Sequence, residues 1–579
     1  MGRSYYRQSF SRLNLTHQRE RATRVFIGRS CSVPSSMPVT LLHQLIHSSA
    51  MRAPDAVALR AGGISLDYQG LAGAIDAFAG GLVRLGLTRR GRVAVWLDKR
   101  FETVIACFGA AAAGGAFVPV NPVLKPAQVG HILRDSGACV LVTSPERFAG
   151  LGDVLATCPG LRHLVLTGMP EATPNARTFA THGWDEILAL APEVHGHRVI
   201  DADMTAILYT SGSTGLPKGV VLSHRNMVAG ARSVAHYLEN RADDVLLAAL
   251  PLSFDAGFSQ LTTAFATGAR VVLLNYLLPR DVLKAMERER VTGLTAVPPL
   301  WIQLAQLAWP AGIDGHVRYF ANTGGHLPRT TLERLRALLP SARPYLMYGL
   351  TEAFRATYLP PEEIDRRPGS IGKAIPDAEV LVLRGDGSEC APDEPGELVQ
   401  RGALVGLGYW NDPEKTAERY KPLPQKAGIR AAGLMMPEIA VFSGDTVRRD
   451  RDGFLYFIGR RDEMIKTSGY RVSPTEIEET LHATGLVGEC AAFGLPHDTL
   501  GQNIAVAITP AADCEIAPEI LVGELLNKCR NHMPSYMVPA RIEVWQGMLP
   551  RNPNGKIDRA RLFCELCKMD GNALGVRVE

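Results

Sequence analysis

At 579 residues, the chain is long enough for more than one domain, and its 46% hydrophobic and 21% charged residues are typical of a globular protein. The formal net charge is +4, although residues 1–36 alone carry seven Arg against one acidic residue, Glu20. The remainder is therefore nearly neutral, and its charge balance excludes nucleic acid as an expected partner.

Residues 1–36 form an Arg- and Ser-rich N-terminal extension with two interpretations. Their composition resembles that of a mitochondrial transit peptide, but the segment has no clean amphipathic helix. We favour a mis-assigned start, with Met37 as the first residue of the working chain. The most apolar window, residues 101–120, contains Glu102, several glycines and Pro119, so it predicts a buried helix followed by a strand. We therefore expect a cytoplasmic protein without a transmembrane segment.

Hydrophobic spacing along the first 300 residues alternates between helical and strand-like. Leu71, Ile75, Phe78, Leu82 and Leu85 recur every three or four residues and stop at Gly86, which predicts an amphipathic helix. Strands are predicted for the apolar runs at 93–97, 140–143, 164–167, 245–250, 271–274 and 294–297. This alternation predicts an α/β fold with buried, largely parallel strands.

The pattern changes after about residue 376. Short apolar runs at 380–383, 396–400 and 453–458 lie between Asp, Gly and Pro turns, which predicts a β-rich subdomain. A compact α+β region is expected after Arg460, with helices at 476–482 and 520–529 and strands at 491–493 and 504–508.

The loop YTSGSTGLPKGV, residues 209–220, follows the apolar run 204–208. Small hydroxyl residues and glycines expose backbone N–H groups, and Lys218 is placed to neutralise negative charge, so the loop predicts a phosphate cradle. A flexible Gly/Ser connection explains the glycines but not Pro217 and Lys218. The loop does not fit the P-loop pattern G-x-x-x-x-G-K-[ST], because Lys218 is followed by Gly219 and not by Ser or Thr.

Further short motifs follow in a fixed order: NTGGHLP (322–328), YGLTE (348–352), GELVQRG (396–402), GYW (408–410), SGD (443–445), GRRDEMIKTSGYRV (459–472) and NPNGKIDR (552–559). From about residue 40 to 565, this series resembles the adenylate-forming superfamily of acyl-CoA synthetases, peptide-synthetase adenylation domains and firefly-type luciferases. The resemblance implies a large N-terminal AMP-binding α/β domain, residues 37–461, with a β-rich subdomain. It also implies a small mobile α+β domain, residues 462–579.

The resemblance assigns a role to each matching residue. The β- and γ-phosphates of ATP would be held by Thr210, Ser211, Gly212, Ser213, Thr214, Gly215 and Lys218. Gly324 and Gly325 would let the backbone approach the nucleotide, Tyr348 would face adenine, and Thr351 would bind the α-phosphate. Glu352 would ligate Mg²⁺, a hard cation that prefers oxygen ligands. Asp445 would accept the ribose hydroxyls, and Arg460 would reach the ribose or the phosphates.

The small domain would serve both steps of the implied reaction. Lys556 corresponds to the family's catalytic lysine, which bridges the substrate carboxylate and the α-phosphate. Asp462 occupies the hinge position, and Gly469 would line the thiol tunnel in the second step. Because Lys556 and Gly469 lie on one domain but act in different steps, that domain is expected to rotate between them.

The motifs leave two questions open: which acid is the substrate and which thiol accepts the acyl group. Phe254-Asp255 replaces the aromatic-His pair of many acyl-CoA synthetases, so Asp255 would bind the amino group of an amino acid or, alternatively, be structural. No carrier domain is expected after Lys556, which favours free CoA over a separate carrier protein. The segments PLSFD and KTSGYRVSPTEIEE further resemble bacterial acyl-CoA ligases associated with exosortase systems. We expect ATP, Mg²⁺ and CoA to be used on a fatty or other acyl acid.

Overall fold

The computed structural model describes residues 38–168, 179–190, 195–210, 217–427, 433, 436–460, 463–467, 470–497, 500–512, 514–553 and 555–572. Within these ranges no helix is both long enough and apolar enough to cross a bilayer. Three sheets, of seven, fourteen and five strands, organise the chain.

The first part of the chain builds the seven-stranded sheet and two strands of the larger one. Its elements are α1 (Gln44–Arg52), β1 (Val57–Ala61), β2 (Ile64–Asp67), α2 (Tyr68–Arg84), β3 (Arg92–Trp96), α3 (Phe101–Ala112), β4 (Ala116–Pro119), α4 (Pro126–Ser136), β5 (Val140–Thr143), α5 (Pro145–Ala149), β6 (His163–Leu166), β7 (Ala180–Gly183), α6 (Trp184–Leu190), β8 (Met204–Thr210) and β9 (Lys218–Ser223). The sheet order is β7-β6-β5-β3-β4-β8-β9, parallel except for the antiparallel pair β8–β9.

The middle of the chain builds the parallel part of the fourteen-stranded sheet and its first antiparallel strands. Its elements are α7 (His224–Tyr237), β10 (Val245–Ala248), α8 (Asp255–Thr267), β11 (Arg270–Leu273), α9 (Pro279–Glu289), β12 (Gly293–Ala296), α10 (Pro298–Ala305), β13 (Tyr319–Asn322), α11 (Arg329–Leu338), β14 (Arg343–Tyr348), β15 (Thr357–Leu359) and β16 (Ser370–Ala374). Strands β11, β10, β12, β13 and β14 are neighbours and run parallel. Helices cover this sheet, and the apolar side chains between the layers form the main core.

The β-rich region continues the same sheet in antiparallel fashion. Its elements are β17 (Ala378–Leu383), β18 (Gly396–Gly402), α12 (Pro413–Arg419), β19 (Tyr420–Pro422), β20 (Ile439–Arg449) and β21 (Leu455–Arg460). Strand β21 pairs with β16, which joins the β-rich region to the parallel part of the sheet.

The five-stranded sheet belongs to the last part of the chain. Its elements are β22 (Ile465–Thr467), β23 (Tyr470–Val472), α13 (Pro474–His482), β24 (Val487–His497), β25 (Gly501–Pro510), α14 (Pro518–His532), β26 (Arg541–Val544) and α15 (Arg559–Asn572). The sheet order is β23-β22-β25-β24, with β26 beside β25. Helices α13 and α14 pack apolar side chains on this sheet and form a separate core.

The structure confirms the predicted secondary structure, with small changes of boundary. The helix expected from Leu71 to Leu85 is α2, and Asp67 caps it by accepting a hydrogen bond from the Gly70 N–H. Gly86 follows with φ +83°, a left-handed conformation that favours glycine and ends the helix. The window 101–120 is α3 followed by β4. The predicted α/β fold, with a β-rich region and a C-terminal α+β region, is confirmed.

Candidate active site

Several motifs of the large domain meet at one edge of the fourteen-stranded sheet. Parallel strands β10, β12, β13 and β14 all end at this edge, which is where ligands bind in open α/β sheets. Asp255 begins α8 shortly after β10, Gly324 follows β13, and Tyr348 ends β14. Thr351 and Glu352 lie in a single 3₁₀ turn, Thr351–Ala353, directly beyond Tyr348. Sequence motifs that are about 100 residues apart thus share one crevice.

The predicted phosphate loop connects two antiparallel strands. Thr210 is the last residue of β8, Lys218 is the first of β9, and the two are register partners. The turn between them contains the remaining predicted phosphate-binding residues, Ser211, Gly212, Ser213, Thr214 and Gly215, which lie outside the described residues. The hairpin fixes both ends of the loop.

Lys218 lies among further cations that the sequence analysis did not assign. Its Nζ is 5.8 Å from the centroid of the Tyr409 ring. Burial and, after it, the charge of Lys415 lower the pKa of Lys218, and Arg419 acts in the same direction. Lys415 and Arg419 are one turn apart on α12, directly after the GYW motif. Clustered cations at the end of a Gly/Ser loop suit a polyanion such as triphosphate.

Glu352 is held by Tyr409 of the GYW motif. Its Oε1 accepts a hydrogen bond of 2.5 Å from the Tyr409 hydroxyl. Its backbone carbonyl accepts bonds from the Gly406 N–H at 2.9 Å and the Tyr420 hydroxyl at 3.3 Å. Burial, and then the charge of Glu352, raise the pKa of Tyr409, which keeps that hydroxyl a donor. A carboxylate held at one oxygen suits a hard divalent cation at the other.

Tyr348, Asp445 and Arg460 form a second polar group on the neighbouring strands. The Tyr348 hydroxyl donates to Asp445 Oδ2, and Arg460 Nε lies 3.2 Å from Asp445 Oδ1. Asp445 and Arg460 are register partners on β20 and β21. Burial raises the pKa of Asp445, and the charge of Arg460 opposes that rise.

Gly444, beside Asp445, has φ +72° and makes room for Arg419. A Cβ on Gly444 would lie 2.2 Å from Arg419 Nη1. The same Nη1 donates to the Phe442 carbonyl at 3.2 Å. The arginine therefore extends from α12 towards the polar group of Tyr348 and Asp445, and the glycine in the SGD motif is required for its path.

Lys556 reaches this crevice from the last part of the chain. A Cβ on Gly324 would come within 3.2 Å of Lys556 Cε, and Gly324 has φ +77°, so both space and conformation favour glycine. Lys556 is exposed to solvent, yet desolvation of its ammonium group where the side chain approaches the large domain lowers its pKa. Asp255 opposes this shift most strongly, and Arg460 reinforces it. The lysine therefore lies within electrostatic reach of both.

Asp255 is paired with an arginine that the sequence analysis did not single out. Arg355 Nη1 lies 3.1 Å from Asp255 Oδ2, and both side chains are buried. Arg355 comes three residues after Glu352, beyond Phe354, which has φ +59° and turns the chain back. No sequence spacing indicates this pair, because its members are 100 residues apart.

A few contacts connect the last part of the chain, after residue 462, with the large domain. Asn121 Nδ2 donates to the Pro553 carbonyl at 2.5 Å, and His326 Nε2 lies 3.2 Å from Glu479 Oε1. The predicted hinge residue Asp462 and the predicted tunnel residue Gly469 lie outside the described residues. The proposed domain boundary at 461–462 lies there as well.

Two family models match the chain. One, described as AMP-binding enzyme, matches residues 46–410, and the other, AMP-binding enzyme C-terminal domain, matches residues 476–556. The long-chain-fatty-acid–CoA ligase of Salmonella typhimurium is 29% identical over 553 residues, covering 90% of this chain and 94% of that protein. The L-proline–[L-prolyl-carrier protein] ligase of Streptomyces coelicolor is 32% identical over 515 residues, covering 86% and 91%.

Solved structures agree with this assignment. ATP-bound MatB from Rhodopseudomonas palustris has a TM-score of 0.77 and 25% identity, covering 91% of this chain and 99% of its own. The anthranilate CoA ligase AuaEII in complex with anthranoyl-AMP has a TM-score of 0.80 over 91% and 98%, at 23% identity, and shows the fold alone. The chain therefore belongs to the AMP-binding enzyme family and is an adenylate-forming acid–thiol ligase.

Proposed function

We propose that the enzyme activates a carboxylic acid with ATP, forming acyl-AMP and pyrophosphate, and then transfers the acyl group to the thiol of CoA with release of AMP. The observation that supports this proposal is the position of Lys556, whose side chain approaches Gly324 and lies within electrostatic reach of Asp255. A mobile cation at that point suits the meeting of two anions, the acid carboxylate and the α-phosphate. We place the reaction in the cytoplasm.

In the first step a carboxylate oxygen attacks the α-phosphorus and pyrophosphate leaves. Lys218, Lys415 and Arg419 would neutralise the leaving phosphates, and Thr351 would hold the α-phosphate. Glu352 would ligate Mg²⁺, which supplies charge neutralisation on the phosphate oxygens when bound. Catalysis then depends on positioning and charge, without a covalent enzyme intermediate.

The remaining polar group would hold the nucleoside. Tyr348 would place its ring against adenine, and Gly324 and Gly325 would let the backbone approach the base. The ribose hydroxyls would donate to Asp445 in place of the Tyr348 hydroxyl, next to Arg460. Because Asp445 is buried, its carboxylate gains most from donors that replace lost water.

In the second step the CoA thiolate attacks the acyl carbon, and AMP leaves with the former carboxylate oxygen. The small domain would first rotate about Asp462, removing Lys556 from the crevice and bringing Gly469 to it. The Salmonella relative supports CoA as the acceptor and a fatty or other acyl acid as the substrate.

A separate carrier protein is a second candidate for the acceptor. The Streptomyces relative is named as an amino-acid–carrier protein ligase, and its identity to this chain is 32%. In that case the thiol would be the pantetheine arm of a carrier, and an amino acid would become a candidate substrate.

One set of reactions tests these proposals. Purified full-length protein is incubated with ATP, Mg²⁺ and a panel of fatty, aromatic, hydroxy and amino acids, and pyrophosphate release is measured. Mass spectrometry after addition of CoA should show acyl-CoA. If acyl-AMP accumulates with CoA and only a carrier protein discharges it, the carrier and not CoA is the acceptor. If no acid of the panel causes pyrophosphate release, adenylation is contradicted.

A further inference from the structure

A small cavity lies beside the Asp255–Arg355 pair, between α8 and the strands β12 and β14. Its volume is about 20 Å³, which is room for one or two water molecules. Ser259, Gln260 and Thr263 line it from α8, Thr295 from β12, and Arg355 from the opposite side. Apolar side chains, among them Leu246, Leu247 and Met347, complete the lining, so the polar groups on it are few. A cavity of this small size is a poor match for a long alkyl chain.

Two buried polar atoms on this lining have no hydrogen-bond partner among the described residues. The guanidinium of Arg355 uses Nη1 for Asp255 and for the Phe354 carbonyl, but its Nε–H has no acceptor. Gln260 donates from Nε2 to the Gly257 carbonyl at 3.0 Å, but its Oε1 has no donor. Arg355 is 2% exposed and Gln260 is 6% exposed. Buried donors and acceptors are rarely left unpaired, so the two atoms require a group that both donates and accepts, which is a bound water or a ligand hydroxyl.

The charges around the cavity restrict the nature of that group. Asp255 and Arg355 already neutralise each other. In the proposed reaction Lys556 would balance the reacting carboxylate of the acid. A second carboxylate or an ammonium group in the cavity would therefore have no counter-ion, which is costly for a buried charge. A hydroxyl is neutral, accepts from Arg355 Nε and donates to Gln260 Oε1.

We propose that the acid is short and carries a hydroxyl group, which Arg355 and Gln260 recognise. This inference rests on the proposed adenylation reaction and narrows its substrate class. It also gives Asp255 the role of fixing Arg355, so that Asp255 does not receive a substrate amino group.

The substrate test uses full-length enzyme and acid-dependent ATP–pyrophosphate exchange. The probes are butyrate, its 2-, 3- and 4-hydroxy derivatives, succinate, glutamate and palmitate. We expect at least one hydroxybutyrate to exceed butyrate in kcat/KM by about tenfold or more, since a site built for a hydroxyl discriminates against the analogue that lacks it. A higher kcat/KM for palmitate, succinate or glutamate than for every hydroxybutyrate would overturn the inference, and glutamate would restore amino-acid recognition by Asp255.

Gln260→Leu tests the recognition with little change of shape. It should lower the hydroxybutyrate-to-butyrate ratio of kcat/KM about fivefold or more. Thr262→Val is the matched control, because Thr262 is buried on the same helix but donates to the Ser259 carbonyl and does not line the cavity. An unchanged ratio in Gln260→Leu, or an equal loss in Thr262→Val, would contradict the assignment.

The double variant Asp255→Asn/Arg355→Met removes both charges together, so no buried ion is left alone. It should abolish the hydroxyl preference, measured as the ratio of kcat/KM for the hydroxybutyrate to that for butyrate. Retention of the preference would overturn the role of Arg355. Failure of the inference is distinguishable from failure of the proposed function: exchange with acids but no hydroxyl preference refutes the inference alone, whereas no exchange with any acid refutes adenylation itself.

Discussion

The nucleotide wall, formed by Tyr348, Glu352, Tyr409 and Asp445, and the Lys556 loop, residues 552–556, are built in different ways. The wall is held by hydrogen bonds between side chains of the large domain. In the loop, the Lys556 N–H donates to Asn552 Oδ1 at 3.1 Å, and the Pro553 carbonyl accepts a hydrogen bond from Asn121 of the large domain. This difference fits the proposed roles, in which the wall would serve both steps and Lys556, needed in one step, would leave the crevice with its loop.

The largest expected effect comes from removing the lysine itself. Lys556→Ala should slow acyl-adenylate formation about a hundredfold or more, because a charge that stabilises the transition state is lost, on the order of 3 kcal/mol. Thioester formation from chemically supplied acyl-adenylate should change much less. Single-turnover measurement of each half-reaction checks this, with Lys528→Ala on the exposed face of α14 as the control.

Equal slowing of both half-reactions by Lys556→Ala would contradict the alternation of domains, and so would no slowing of either. Thermal unfolding of the variant excludes a general loss of structure. Lys528→Ala should match the parent enzyme in both reactions, since this lysine is exposed on α14 and is not among the charges that shift the pKa of Lys556.

A smaller effect is expected in the cation cluster around the phosphate loop. Arg419→Met keeps much of the side-chain volume but removes the charge near Lys218 and Asp445. The KM for ATP should rise about tenfold in adenylation, which is the size of one charge-assisted hydrogen bond. Arg334→Met, on exposed α11, is the control and should leave that KM unchanged. An unchanged KM in Arg419→Met would remove Arg419 from the phosphate site.

The pH dependence of the two half-reactions should differ on the alkaline side. Desolvation lowers the pKa of Lys556 below its ordinary value of 10.5, and the lysine is charged only below its own pKa. Adenylation should therefore decline as pH rises, starting at a lower pH than for a solvated lysine. Thioester formation should show no such decline, because Lys556 is then away from the crevice. An identical alkaline decline in both half-reactions would contradict this.

The fold and most candidate residues were predictable from the sequence because they depend on local order. The spacing of Leu71, Ile75 and Phe78 reports one face of a helix, and short motifs such as YGLTE keep neighbouring residues together. The pair Asp255–Arg355 was not predictable, since it forms only when β10 and β14 end at the same edge. Lys415 and Arg419 were missed although they follow GYW directly, because a charged helical face is usually only solvated. The exosortase-associated subgroup stays a prediction.

The smallest effect tests the docking of the Lys556 loop. Asn121→Ala removes the hydrogen bond from Asn121 to the Pro553 carbonyl, which holds the loop against the large domain. A single hydrogen bond contributes about 1 kcal/mol, so adenylation should fall about threefold to fivefold. Thioester formation in the same preparation is the internal control, because the loop must already have left the crevice in that step. If Asn121→Ala slows both half-reactions equally, the bond supports the large domain itself. If Asn121→Ala accelerates thioester formation while it slows adenylation, the bond holds the small domain in the adenylating position.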